Sequence, residues 1–299
     1  MYVAYAPIYQ HPLPKGHRFP MQKYELIPAQ LLYEGSITVA EIYEPQPCPV
    51  NTILLTHTKE YLNKLLNQTL TPKEQREIGF PQSPQLTNRE LIISQGTINC
   101  CHYALQHGVA LNVSGGTHHA FANKGEGFCM LNDFAVAANY LLQQNLVQKI
   151  LIVDLDVHQG NGTAKIFENN PAVFTFSMHG AHNYPFRKEQ SDLDIGLPDG
   201  CNTATYLYYL AQHLPQLLAV VKPNIVMYLS GVDILETDKF GKLKVTKDGC
   251  KQRDKMVFEA CYNLKIPVVV SMGGGYSADV KIIVDAHCNT FRLAKNYLW

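Results

Sequence analysis

Residues 150–163 read ILIVDLDVHQGNGT, and this stretch decides the fold. Four consecutive apolar residues are followed at once by polar side chains and a Gly-Asn-Gly turn, which predicts a strand buried on both faces of a parallel sheet. Asp154, Asp156 and His158 come at the carboxyl end of that strand, where open α/β sheets bind their ligands. Carboxylate and imidazole groups are donors that a divalent metal accepts, so the stretch also predicts a metal site.

Short apolar runs alternate with longer helical patterns along the rest of the chain. The runs that predict strands are Val3–Ala6, Ile37–Ala40, Thr52–Leu55, Val109–Val113, Ile150–Asp154, Val173–Ser177, Ile225–Leu229 and Pro267–Met272. Helices are predicted at 131–142, 203–220, 250–264 and 281–298, and long loops at 178–202 and 232–246. Buried strands that alternate with helices predict a parallel sheet covered by helices on both faces.

Composition limits the classes of function. The chain has 299 residues without an internal repeat or a linker, so we expect one domain over residues 1–299. The 25 Lys and Arg residues balance 25 Asp and Glu residues, which argues against a nucleic-acid surface. No signal peptide or membrane span is apparent, which favours a cytoplasmic location, with export by a non-classical route left open. The eight cysteines contain no CxxC pair, so we expect buried free thiols rather than disulfides or a cysteine-ligated metal.

Three further motifs follow predicted strands at the same edge of the sheet. Asp233 follows the strand Ile225–Leu229 and supplies a third ligand, which leaves metal positions open for water and substrate as in catalytic zinc sites. The tandem histidines of the GGTHHA segment are natural proton carriers near neutral pH. In the GGGY segment, the glycines permit close approach to a ligand, and the Tyr276 phenol suits a carbonyl oxygen that develops negative charge. A phosphate cradle is the weaker alternative there, because no lysine follows.

Taken in order, the segments GGTHHA, GFCMLND, DLDVHQGNGT, SGVD and GGGY match a known family. The sequence resembles the metal-dependent histone deacetylase superfamily, which also contains acetylpolyamine amidohydrolases and acetoin-utilisation proteins. The segments GFPQSP at 79–84 and VDILETDKFGKLKVT at 232–246 make it most similar to class IV members. The resemblance implies the arginase/deacetylase fold, an α/β/α sandwich of three layers with a mainly parallel sheet of about eight strands.

The resemblance also implies roles for individual residues. Zn²⁺, or Fe²⁺ in the cell, would be held by Asp156, His158 and Asp233. The catalytic groups would be His118 with Asp154, His119 with Asn161, and Tyr276. A structural K⁺ would use Asp154, the Ser177 hydroxyl and the backbone oxygens of Asp156, His158 and Met178. The substrate would be bound by Gly127, Phe128, Tyr184, Gly274 and Gly275, with Phe128 and Tyr184 as tunnel walls. Arg18 would line an internal channel for the acid product.

Two departures from the family pattern concern the site. Asn161 stands where class I members have an aspartate, which should lower the basicity of His119. Ser277 follows Tyr276 where a longer amide residue is common.

Three functions remain open from the sequence. The first is an acyl-lysine amidohydrolase that acts on proteins or peptides, with either acetyl or long fatty-acyl groups. The second is an acetylpolyamine amidohydrolase, for which Glu126 and Asp192 would supply acidity at the entrance. The third is a non-catalytic acyl-lysine reader. The sequence does not indicate an oligomeric state.

Overall fold

The computed structural model describes residues 1–299 and contains one sheet of eight parallel strands. The strands are β1 (Tyr2–Ala4), β2 (Ile42–Tyr43), β3 (Val109–Asn112), β4 (Ile150–Asp154), β5 (Val173–Gly180), β6 (Leu193–Leu197), β7 (Ile225–Leu229) and β8 (Val268–Ser271). Their order across the sheet is β2-β1-β3-β8-β7-β4-β5-β6. Because all strands are parallel, their carboxyl ends meet at one edge, and the central four strands bring distant parts of the chain together there.

Helices flank the sheet and cover its centre. They are α1 (Lys23–Tyr33), α2 (Val50–Ile53), α3 (Lys59–Leu66), α4 (Pro72–Ile78), α5 (Pro84–His107), α6 (Asp133–Gln143), α7 (Asn161–Phe167), α8 (Thr203–Val221), α9 (Lys247–Asn263) and α10 (Val280–Ala294). Every residue of β3, β4, β7 and β8 is buried. These strands are apolar on both faces, so they require cover on both sides. The predicted α/β/α sandwich of parallel strands is therefore confirmed.

Most of the predicted elements match the structure. Six of the predicted strands correspond to β1, β3, β4, β5, β7 and β8, and the four predicted helices correspond to α6, α8, α9 and α10. All eight cysteines are buried and free, as expected. None of the helices is long and apolar enough to cross a membrane.

Two predicted strands are wrong, and two strands, β2 and β6, were missed. Thr52–Leu55 overlaps α2, where the amides of Thr52 and Ile53 both bond to the carbonyl of Pro49 and close a helical turn. Ile37–Ala40 runs into a short 3-10 helix, Val39–Glu41, which Thr38 caps, and the strand comes only afterwards, as β2. The strand β6 lies inside the predicted loop 178–202. It was missed because it is a half-exposed edge strand without an apolar run.

Candidate active site

Three ligand-type side chains converge beyond the carboxyl ends of β4 and β7. Asp156, His158 and Asp233 are buried, and their donor atoms lie within 4.8 Å of one another. The amide of Gly274 donates to Asp156 Oδ2 at 2.6 Å, and the amide of Val157 donates to Asp233 Oδ1 at 3.0 Å. The amide of His158 also donates to Asp156 Oδ1 at 3.0 Å, so backbone amides orient both carboxylates and the cluster is pre-organised.

The remaining atoms of this cluster fit a divalent cation. Asp233 Oδ2 is buried and accepts no hydrogen bond, although His158 Nδ1 lies 3.2 Å away. The same nitrogen lies 3.0 Å from Asp156 Oδ1. Burial and the Asp156 carboxylate together raise the pKa of Asp233 to about 7, because two buried carboxylates repel without a cation between them. An unpartnered carboxylate oxygen beside an imidazole nitrogen and a second carboxylate suits a catalytic metal with three protein ligands.

The tandem histidines face the same cleft, and each one is oriented by a different partner. His118 Nδ1 lies 2.7 Å from Asp154 Oδ2, and His119 Nδ1 lies 2.7 Å from Asn161 Oδ1. Their ring centroids are 4.1 Å apart. The turn before them has Gly116 at φ +66°, where a Cβ atom would lie 2.3 Å from the Met272 carbonyl oxygen. Only glycine permits this approach, and it lets neighbouring histidines point into one cleft.

The two histidines differ in their electrostatics. Burial opposes the charging of His118, but the Asp154 carboxylate outweighs burial and raises the His118 pKa. Burial lowers the pKa of His119 well below its ordinary value, and the nearby rings of His118 and His158 lower it further. A neutral imidazole accepts a proton, whereas a carboxylate-paired imidazole holds positive charge. His119 is therefore suited to act as the base, and His118 is suited to remain cationic.

Aromatic side chains form the walls of the cleft above these groups. Phe128 and Tyr276 line it with their ring centroids 6.2 Å apart, and Gly127 and Gly274 also line it. Tyr184 packs edge-on against His119 with the ring centroids 5.0 Å apart. The role expected for Gly275 in substrate binding stays a prediction. A Cβ atom at Gly275 would lie 2.6 Å from a methyl carbon of Val232, so this residue faces the core.

Phe128 adopts a backbone conformation that its neighbours must hold. Its φ is +68°, a left-handed value that costs free energy for a residue with a bulky side chain. Its amide donates to the Ile78 carbonyl at 2.7 Å, and the Gly127 amide donates to the Glu77 carbonyl at 3.0 Å. The ring lies over Gly79, where a Cβ atom would be 2.8 Å from it. The end of α4 therefore sets the position of this cleft wall.

A buried cation, Lys23, lies beside the cleft residues Gly273 and Tyr276, and Arg18 lies elsewhere. Arg18 is exposed, and its guanidinium stacks over the rings of Phe128 and Phe240, at 5.1 and 5.4 Å from their centroids. The next residue in the chain is buried, so Arg18 is directed outward. Lys23 is buried and donates from Nζ to the Gly273 carbonyl at 3.0 Å. The expectation that Arg18 lines an internal channel is therefore wrong about its position.

Oxygen donors suited to a potassium ion lie beside the metal cluster. Asp154 and Ser177 pair in parallel register on β4 and β5, and Met178 follows directly; all three are buried. Asp154 Oδ1 accepts from the Asp156 amide at 3.1 Å, and Ser177 Oγ lies 3.0 Å from His179 Nδ1. A potassium ion at this position stays a prediction.

Comparison with known proteins gives the family of the chain. The histone deacetylase domain model matches residues 17–291. The chain belongs to the histone deacetylase family. It is 28% identical to histone deacetylase 2 of Arabidopsis thaliana, over 93% of this chain and 74% of that protein. It is also 46% identical to an uncharacterized protein of Picosynechococcus sp., over 98% of both chains.

Solved structures of the family share the fold. The crystal structure of a histone deacetylase homologue complexed with SAHA covers 99% of this chain and 84% of its own, with a TM-score of 0.85 and 24% identity. The homologue from Aquifex aeolicus has a TM-score of 0.85 and 22% identity, and the match covers 98% of this chain and 84% of that chain. Membership of the histone deacetylase family supports hydrolysis of an amide as the reaction of this site. Placement in class IV stays a prediction.

Several residues that support this histone deacetylase site were not found from the sequence. Asp133 accepts hydrogen bonds from Thr117, Thr97 and Ser271, and so ties the histidine turn to α5 and β8. Lys23 and Gly79 likewise act through packing across the fold. Asp133 and Gly79 lie in the GFCMLND and GFPQSP segments, but their partners are distant in the sequence, so the segments alone do not reveal these contacts.

Proposed function

We propose that the protein hydrolyses the amide of Nε-acyl-lysine in proteins or peptides and releases a carboxylate and free lysine. The observation that carries this proposal is the convergence of a buried metal-ligand cluster, a neutral histidine and a tyrosine in one narrow aromatic cleft. A long side chain with an amide at its end suits a cleft of that shape.

The residues of the cleft divide the chemical work. A Zn²⁺ ion held by Asp156, His158 and Asp233, or Fe²⁺ in the cell, would supply Lewis acidity and a water of lowered pKa. His119 accepts the proton of the attacking water and later delivers it to the leaving lysine amine. Tyr276 donates a hydrogen bond to the carbonyl oxygen as negative charge develops there.

The other groups of the cleft bind and orient the substrate. His118, paired with Asp154, holds positive charge beside the reacting atoms. The Gly127 carbonyl accepts a hydrogen bond from the substrate amide. Phe128 and Tyr184 enclose the methylene chain of the lysine, and Lys23, which bonds to the Gly273 carbonyl, attracts the carboxylate product. A K⁺ ion at Asp154 and Ser177 would hold the floor of this site.

The size of the cleft favours a short acyl group. Its volume is about 40 Å³, which is room for only a few water molecules. An acetyl group fits this space, whereas a fatty-acyl chain requires the aromatic walls and Lys23 to move apart. We therefore propose acetyl-lysine as the preferred substrate, rather than the long-chain substrate that remained open from the sequence.

The two acidic residues considered for polyamine binding are engaged elsewhere. Glu126 accepts hydrogen bonds from Asn161 and Tyr184 and pairs with Lys124. Asp192 accepts from the amide and hydroxyl of Thr175 on β5. Neither carboxylate is free to bind the second amine of a polyamine, so a peptide substrate is favoured.

A panel of acylated substrates tests this function. Zn²⁺-loaded protein is assayed with acetyl-, butyryl- and myristoyl-lysine peptides and with acetylputrescine, and we expect the highest kcat/KM for the acetyl peptide. Tyr276→Phe should lower kcat about a hundredfold or more because it removes a donor to the oxyanion, while peptide binding is kept. Tyr208→Phe, at an exposed tyrosine, serves as the matched control. Absence of hydrolysis of every peptide by folded, metal-loaded protein would contradict the proposal.

A further inference from the structure

We propose that Glu126 is a positioning residue that fixes the orientation of the Asn161 amide and thereby decides which ring nitrogen of His119 carries the proton. This inference deepens the proposed function and rests on it. The family pattern offers no carboxylate next to His119 in this chain, because Asn161 occupies that position. The structure supplies a carboxylate from a different segment of the chain. It is Glu126, which reaches the His119 ring through Asn161.

The contacts of Glu126 form a short chain that leads to His119. Glu126 Oε1 accepts from Asn161 Nδ2 at 2.7 Å and from the Tyr184 hydroxyl at 2.8 Å. Its other carboxylate oxygen pairs with Lys124 Nζ at 2.7 Å. Asn161 Oδ1 lies 2.7 Å from His119 Nδ1. One carboxylate therefore holds both the partner of the base and one wall of the cleft.

The orientation of Asn161 follows from what each group can donate or accept. A charged carboxylate only accepts hydrogen bonds, so Asn161 must present its NH₂ group to Glu126. Its carbonyl oxygen then faces His119, and that oxygen also only accepts. The proton of His119 therefore lies on Nδ1, and Nε2 is left with a lone pair for the substrate water. Without Glu126, the amide of Asn161 is free to turn over and present its NH₂ group to the histidine, which favours the inactive tautomer.

Glu126 is charged and firmly held. Burial raises the pKa of its carboxyl, but hydrogen bonds from Lys124, Asn161 and Tyr184 outweigh burial, and the net effect lowers that pKa. The side chain is only 13% exposed. Its backbone carbonyl accepts from the Cys129 amide at 2.9 Å in a tight turn.

The preceding residue, Gly125, is closely packed, and a larger residue would not fit at its position. A Cβ atom at Gly125 would lie 2.5 Å from the Cys129 carbonyl oxygen and 2.6 Å from the Tyr61 hydroxyl. The backbone next to Glu126 is therefore closely packed, and the carboxylate itself is held by its hydrogen bonds with Asn161, Tyr184 and Lys124.

The same geometry makes Asn161 and Glu126 a matched pair. An aspartate at position 161 would place a second carboxylate against Glu126, and two buried carboxylates at hydrogen-bond distance cannot both be charged. Asparagine is therefore the residue that this arrangement accepts. An aspartate at position 161 should be tolerated when residue 126 is uncharged. A role of Glu126 in packing alone would not predict this dependence on charge.

The experiment measures kcat and KM on an acetyl-lysine peptide for Zn²⁺-loaded variants. We expect Glu126→Ala to lower kcat about tenfold to a hundredfold, within the range of general-base contributions. Glu126→Gln keeps an acceptor for Asn161, so it should recover most of that loss. Asn161→Asp alone should lose as much as Glu126→Ala, and the double variant with Glu126→Gln should be more active than Asn161→Asp alone. Glu168→Ala, at an exposed glutamate that is also paired with a lysine, is the matched control and should match wild type.

A second measurement does not depend on turnover. Nitrogen-15 NMR of the imidazoles, with the His119 signal assigned from a His119→Ala spectrum, should show Nδ1–H in wild type and a loss of that preference in Glu126→Ala. Wild-type kcat in Glu126→Ala, or an Asn161→Asp loss that Glu126→Gln does not relieve, would overturn the proposal. If wild type hydrolyses no peptide, the proposed function fails, while the NMR signal still decides the role of Glu126. If Glu126→Ala does not fold, Asn161→Asp and Glu126→Gln decide. The proposal requires that Glu126→Gln raises the kcat of the Asn161→Asp variant.

Discussion

Replacing Gly79 by alanine should displace the Phe128 cleft wall and lower kcat/KM, while the free energy of unfolding falls only a little. Gly79 ends α4 at φ +87°, where an L-residue pays about 1–2 kcal/mol. The smaller entropy of the unfolded alanine chain offsets about 0.4–1 kcal/mol of this cost. The backbone effect on the free energy of unfolding is therefore a loss of about 1 kcal/mol.

The larger effect of this substitution falls on Phe128. The new methyl group would lie 2.8 Å from the ring, while ordinary contacts begin at 3.4 Å, so the ring must move by about 0.6 Å. Displacements near 1 Å at a reacting centre cost about a hundredfold in rate. We therefore expect kcat/KM to fall about tenfold for acetyl-lysine peptide.

Gly35 provides the matched control for Gly79. It follows α1 at φ +71°, and nothing lies within 4 Å of a Cβ atom there. Gly35→Ala should lose the same 1 kcal/mol or so in urea unfolding and keep wild-type kcat/KM within about twofold, because the backbone cost is shared and the contact is not. If Gly79→Ala keeps wild-type kcat/KM, or if both variants lose it equally, then Phe128 does not act as a wall positioned by Gly79.

Three further outcomes are expected. Burial lowers the pKa of His57 to about 4, so below pH 6.5 the unfolded chain binds a proton at His57 that the folded chain does not. This one residue should therefore lower the free energy of unfolding by about 2.5 kcal/mol between pH 7.5 and 4.5. Urea titrations of His57→Asn should show a smaller drop, and those of His182→Asn, at an exposed histidine, an unchanged one. Zn²⁺ at a hundred times its Kd should stabilise metal-free protein by about 2.7 kcal/mol in thermal unfolding, and Asp233→Asn should abolish most of that gain. Lys23→Met should weaken product inhibition by acetate about tenfold, since a charge-assisted contact is lost; unchanged inhibition would remove Lys23 from product binding.

The sequence was sufficient to predict those features that a local pattern of residues determines. Asp156, His158 and Asp233 each follow a fully buried strand, so their meeting at one edge followed from strand polarity alone. The helices α6 and α9 were found from an apolar stripe and α8 and α10 from composition, whereas α5, the longest helix, was not predicted. These features depend on residues that are close together in the chain.

Features that depend on distant partners escaped the sequence. Thr52–Leu55 has strand-like composition, but a preceding proline and the backbone bonds to it favour a helical turn. β6 has alternating exposure at an edge, and its register is set by β5 rather than by its own residues. Arg18 was named from the family resemblance, and Lys23 was missed because only packing decides which cation of this segment is buried.

The strand order has a consequence for how the site is assembled during synthesis. β8 is the last strand to be made, yet it lies between β3 and β7. Until it inserts, the sheet consists of two separate halves, one ending at β3 with the tandem histidines and the other holding β7, β4, β5 and β6. All three metal ligands belong to the second half, and the tandem histidines contact that half directly through Asp154 and Asn161. The Tyr276 phenol follows β8, so a nascent chain already contains all three metal ligands and the base before its oxyanion donor has been made.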